Sequence, residues 1–118
     1  MTPEDPASMQ DIYRQFRGLI VSGRLGVGER LPTVRQTALD LGVSPGTAAK
    51  AYKLLEQDGL VVTRTAAGTR VAVDASPLPA SVVRRIRELV IEADAARVGV
   101  DDVVAALRVT WSASSAGE

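Results

Sequence analysis

The run Leu41-Gly42-Val43-Ser44-Pro45-Gly46 confines this chain more tightly than any other stretch. It holds a helix stop, a helix cap and a proline suited to a first helical turn. Gly42 can take the left-handed conformation that closes a helix. Ser44 offers a hydroxyl to the unpaired N–H groups of a following helix, and Pro45 falls where a missing N–H costs nothing. Upstream, Thr33 and Gln36 have capping-box spacing, which starts a short helix at Thr33 with Val34, Ala38 and Leu41 as its inward stripe. Downstream, Ala48, Ala51, Tyr52 and Leu55 recur at helical spacing until Gly59 stops the run. Two short helices joined by a tight turn, the second led by small and basic residues, are the sequence form of a helix-turn-helix.

The flanks complete a fold around that motif. Met9, Ile12, Phe16, Leu19 and Ile20 give helical periodicity from Ser8 to Ser22, with Gly23 as its stop, after a frayed, proline-bearing start at residues 1–6. Residues 23–30, with three glycines, read as a loop. Leu60–Arg64 and Thr69–Val73 are β-rich runs joined by Thr65-Ala66-Ala67-Gly68, the pattern of a hairpin. Three helices followed by a hairpin make a winged helix. Asp74–Pro79 reads as a linker. Val82, Ile86, Leu89, Val90 and Ala93 mark a fourth helix, and Val100, Val103, Val104, Leu107 and Trp111 a fifth, shorter one. Gly99 breaks the two, Asp101 and Asp102 suit the positive end of the fifth, and Ser112–Glu118 reads as disordered. The expected class is mainly α with a small β-hairpin: a winged helix-turn-helix over residues 7–73, then a helical extension over 79–111.

Composition removes most chemistry. The chain has no His and no Cys, so Ser-His, zinc-His and thiolate sites are excluded, and with them disulfides. The glycines at 23, 26 and 28 follow a helix rather than a strand and lack a Gly-Lys-Ser/Thr, so they are not a phosphate loop. No enzyme, metal or cofactor is expected. No apolar run approaches the roughly 18 residues of a membrane span. An N-terminus bearing Glu4 and Asp5 lacks a secretory h-region, which predicts a cytoplasmic protein. Aromatics are only 3% of residues, so the core must come from Val, Leu, Ile and Ala, and so small a domain would gain from a dimer interface.

Formal net charge is zero, yet the charge is unevenly placed. Residues 6–73 hold nine basic groups against five acidic ones, a surplus of four, whereas residues 74–118 hold five against seven. The sign suits a nucleic-acid-binding first half, and neutrality overall predicts weak non-specific binding, so specific contacts would have to matter. On the third helix, Gly46, Thr47, Ala49, Lys50 and Lys53 are expected opposite the buried stripe. Small residues at 46 and 49 would let the helix N-terminus approach a duplex, with Thr47 and Lys50 reaching bases or backbone. For Lys53, a merely solvated face weighs equally. Arg35, in the first turn of the second helix, is placed for phosphate or guanine. Arg64, Thr65, Gly68, Thr69 and Arg70 form a basic hairpin tip able to enter the minor groove, the alternative being an ordinary polar turn.

The same residues resemble the GntR superfamily of bacterial transcription regulators. The matching phrase runs from Gly23-Arg-Leu-Gly-Val-Gly-Glu-Arg-Leu-Pro-Thr-Val-Arg35 through Leu41-Gly-Val-Ser44, Thr47, Ala51-Tyr52, Leu55-Glu56 and Asp58-Gly-Leu-Val to Gly68-Thr69. The short remainder is similar to the YtrA-type subgroup, whose helical extension serves dimerisation. The resemblance implies operator contacts from Arg35, Ser44, Gly46, Thr47, Lys50, Gly68 and Thr69. Departures from the family pattern are Val27 for proline, Thr37 for leucine, Ala48 for valine and Arg70 for an aromatic. The first three predict looser packing.

Together these readings predict a homodimeric, sequence-specific DNA-binding repressor on a palindromic operator, its winged helices in successive major grooves roughly 10 bp apart. Val82, Ile86, Leu89, Val90, Val103, Val104 and Leu107 would form the dimer core, unless that stripe packs on its own winged helix. Two rivals are a winged helix that docks an acidic protein, and a sensor with a small-molecule effector held between the last two helices.

Overall fold

The computed structural model describes residues 6–64, 68–75 and 77–116. They form helices α1 (Pro6–Val21), α2 (Val34–Leu41) and α3 (Pro45–Gln57), strands β1 (Val61–Arg64) and β2 (Gly68–Val71), and helices α4 (Ala80–Ala95) and α5 (Val100–Ala116). The chain divides into two units, residues 1–78 and 79–118.

The first unit is built around α3. Ala48, Ala51 and Leu55 are fully buried, and the two alanines leave room for neighbouring helices to come close. Ile12, Phe16 and Ile20, one turn apart on α1, pack with this stripe in one core. The Phe16 and Tyr52 rings meet edge to face at 5.5 Å and 81°. Leu31, Val61, Val71, Ala72 and Ala75 complete the core, which is aliphatic and alanine-rich as the composition requires.

Four local expectations change. The inward stripe of α2 is Val34, Thr37 and Ala38, while Leu41 is 44% exposed. Thr37 does not simply loosen the packing. The Tyr52 hydroxyl donates to the Pro32 carbonyl at 2.6 Å, so the Thr37 hydroxyl, 2.8 Å from the same oxygen, must be the donor to it. Burial raises the Tyr52 pKa, and the Thr37 bond opposes part of that rise. Residues 23–30 are also more than a loop. Leu31 N–H donates to the Thr69 carbonyl (2.8 Å) and Val71 N–H to the Glu29 carbonyl (2.9 Å), so Arg30 bridges Arg70 along the free edge of β2. The linker is partly fastened too: Ala75 is buried, and Leu78 N–H donates to the Val21 carbonyl at 2.7 Å.

In the second unit, α4 and α5 flank a turn that uses Arg97, not Gly99, as its left-handed residue, at φ 61°. Gly99 instead accepts from Val103 N–H as α5 begins. The fifth helix is not the shorter one: it runs 17 residues against 16 and carries Ser112–Ala116 in helix rather than disorder. Serine and alanine tolerate helix well enough to extend one already nucleated. None of the described side chains of this unit is buried. An open groove is lined by Leu89, Val98, Asp102, Val103, Ala106, Leu107 and Thr110.

Candidate nucleic-acid interface

The turn between α2 and α3 sets the site. Thr33 caps α2, its Oγ1 accepting from Gln36 N–H at 3.0 Å, while the Gln36 amide turns along the helix to Asp40 instead of closing a reciprocal box. Gly42 ends α2 at φ 68°. Two residues on, Ser44 Oγ accepts from Thr47 N–H at 3.1 Å and starts α3, with Pro45 in its first turn. The short distance between stop and cap fixes the direction in which α3 leaves its partner.

What α3 presents outward is Gly46, Ala49, Lys50 and Lys53, all exposed and spaced three, four and seven residues along one face. Gly46 is informative because packing does not demand it. A Cβ there would meet only Ser44 Oγ, at an ordinary 3.8 Å. The bare first turn is therefore open to something approaching from outside. Lys50 and Lys53 form no ion pair with the described residues, and neither does Arg35, exposed in the first turn of α2.

Thr47 is a correction. Expected on the outer face, it is 3% exposed. It lies four residues before Ala51, on the buried stripe, and its Oγ1 is 3.0 Å from Ser44 Oγ. Thr47 shapes the cap rather than offering a free hydroxyl, and half-buried Ser44 is engaged in the same turn.

The wing pairs Val61 with Val71, Val62 with Arg70, Thr63 with Thr69 and Arg64 with Gly68. Buried Val61 and Val71 anchor its base, and the Thr63 and Thr69 hydroxyls lie 3.3 Å apart on its exposed part. Arg64 is exposed at the far end, whereas Thr65 lies outside the described residues. Arg70 is not at the tip. It pairs two positions nearer the base than Gly68, is half-buried, and donates from Nη1 to the Gly28 carbonyl at 3.1 Å. Occupying a flank where an aromatic was expected, it ties the wing to the 28–31 segment.

The residue that sequence reasoning missed is Arg30. It is exposed beside buried Leu31, an alternation that marks an edge strand, and its guanidinium lies over Gly68. Behind the site, the Tyr13 hydroxyl donates to Asp58 Oδ2 at the end of α3. That hydrogen bond, then burial and the Asp58 charge, raise the Tyr13 pKa, and Arg17 opposes them. The bond links α1 to the helix that carries the exposed lysines.

Residues 8–71 match the family described as bacterial regulatory proteins, gntR family. The chain is 30% identical over 106 residues to the transcriptional repressor YtrA of Bacillus subtilis, a match spanning 82% of each protein. Among solved structures it is similar to a Listeria monocytogenes protein described as a transcriptional antiterminator, with 26% identity, 88% of this chain and 81% of the other covered, and a TM-score of 0.56. It is also similar to YtrA from Sulfolobus acidocaldarius, a GntR-family transcription factor, at 30% identity, 71% and 85% coverage and a TM-score of 0.52. These relatives bear the names of regulators rather than enzymes, and no helix among the described residues is long and apolar enough to cross a membrane. The chain belongs to the gntR family of bacterial regulatory proteins and is a DNA-binding transcriptional regulator with a winged helix-turn-helix.

Proposed function

We propose that this protein is a cytoplasmic homodimeric repressor that reads a palindromic operator. The face Gly46–Ala49–Lys50–Lys53 enters the major groove, Arg35 holds phosphate at its side, and the wing lies along the adjacent minor groove. The exposed face of α3 carries the reading: two lysines with no ion pair among the described residues follow a first turn left bare without any packing reason. Repression is taken from the likeness to YtrA of B. subtilis, named a transcriptional repressor. Dimerisation is supported by the helical unit, where Val82, Ile86, Leu89, Val90, Val104 and Leu107 are all exposed. An apolar face of that extent is usually covered by a partner.

A gel shift with the DNA flanking its own gene, repeated over a salt series, tests the reading. Wild-type protein should prefer one duplex over random DNA. Lys50→Ala should weaken that duplex by about 1–3 kcal/mol if Lys50 reads a base. If Lys50 holds phosphate, all sequences should weaken alike and the salt slope should fall by about 1. Equal binding to every duplex, unaffected by Lys50→Ala, would favour a winged helix that docks an acidic protein.

A further inference from the structure

One arginine is placed against the wing with little slack. Gly68 opens β2 at φ 72°, a conformation that favours glycine. The Arg30 guanidinium fills the space a side chain at 68 would occupy. A Cβ there would stand 2.9 Å from Arg30 Nε, 3.1 Å from Nη2 and 3.2 Å from Cζ. Arg30 reaches this position because residues 28–31 are bonded to the edge of β2. Arg64 is the cross-strand partner of Gly68, so two arginines flank one bare backbone position. Neither forms an ion pair with the described residues. The neighbouring acid, Glu29, instead accepts from Gly26 N–H at 2.8 Å.

We propose that Arg30 is a specificity-determining residue that enters the minor groove beside the wing and selects A·T base pairs there. The inference rests on the wing facing DNA, as proposed above. A minor groove about 6 Å wide admits a thin edge only. Gly68 adds no side chain beside Arg30, so the guanidinium can lead with its own planar edge. A·T tracts narrow the groove and deepen its negative potential, which attracts arginine. A·T pairs present acceptors there, whereas guanine adds an amino donor that would face another donor. Guanidinium is more weakly hydrated than ammonium, so it gives up water more readily on entry. Packing on Gly68 restrains the side chain beforehand and lowers the entropy lost on binding.

The test uses the full chain and duplexes that it enriches from a randomised pool. Base pairs under the wing are changed from A·T to G·C, and then to inosine·C, which removes the guanine amino group from the minor groove and keeps the major-groove face of G·C. Wild-type affinity should fall about tenfold with G·C and recover with inosine·C. Arg30→Ala should bind all three duplexes within about twofold, with melting unchanged. If Arg30→Ala keeps the A·T preference, or weakens all three duplexes equally, the proposal is overturned. Should that variant not fold, Arg30→Lys carries the test: a preference reduced several-fold supports the proposal, and an undiminished one overturns it. Failure of the wild type to enrich any duplex is a separate result that overturns the DNA-facing wing itself.

Discussion

The two units of this protein handle apolar surface in opposite ways. In residues 1–78, helices and wing close over a core in which Ala48, Ala51 and Leu55 are wholly shielded. In residues 79–118, Leu89 is 43% and Leu107 50% exposed, and no described side chain is buried. Both units carry apolar residues at the same three- and four-residue helical spacing. The difference is the number of layers. The first unit packs α3 with two helices and a strand. Two helices by themselves have only one another to cover, and an amphipathic stripe needs an opposing layer. A unit without a core of its own is where the proposed dimer interface is placed.

The sharpest way to break that comparison is to charge the open stripe. Leu89→Glu with Val103→Glu should yield monomers whose operator affinity is lower by about 10²–10⁴, the factor that linked half-site binding contributes. The melting of the first unit should not change. Light scattering that still reports a dimer would remove the interface from these helices. The opposite intervention, Leu55→Ala, should cost about 2–5 kcal/mol in urea unfolding, because the site is enclosed on all sides. A cost no greater than that of Leu107→Ala in the helical unit would erase the contrast.

Smaller effects separate packing from recognition within the first unit. Tyr52→Phe removes the donor to the Pro32 carbonyl and the acceptor for Thr37, and should cost about 1–2 kcal/mol. Gly46→Ala should act with opposite signs. It should stabilise α3 by up to about 1 kcal/mol while weakening DNA binding, since the added methyl has room inside the protein but none against a duplex. Stabilisation without a binding loss would mean that nothing approaches that turn. The smallest effect is alkaline. The folded pKa values of Tyr13 and Tyr52 lie above their ordinary value of 10.0, so both contribute stability below that pH. That stability is lost as pH rises through the folded values. Tyr13→Phe should flatten part of this decline in melting temperature above pH 10, and an identical decline would deny Asp58 any such coupling.

Much of this was legible from residue order. The caps at Thr33 and Ser44, the stop at Gly42 and the stripe Ala48–Ala51–Tyr52–Leu55 depend on residues near in sequence and lie where local chemistry places them, whereas the second strand of the hairpin runs Gly68–Val71 and not Thr69–Val73. The errors have separate causes. Thr47 is expected outward, although its four-residue spacing from Ala51 places it on the buried stripe. Thr37 was read as a packing defect because its partner, Tyr52, is 15 residues away. Ser112–Glu118 reads as disordered, yet Ser112–Ala116 extends a helix already begun, and residues 117–118 lie outside the described residues.

The sequence by itself determined α2 and α3 with their caps and stops, and the family, because caps, stops and apolar periodicity act within a turn or two of chain. Tertiary structure alone decided which cations are available. Residue order puts Arg70 at the hairpin tip and leaves Arg30 in a loop. Pairing of residues 28–31 with β2 leaves Arg70 donating to Gly28 and lays Arg30 over Gly68. That pairing joins segments some forty positions apart, where only the closing of the core around Leu31, Val61 and Val71 sets the register.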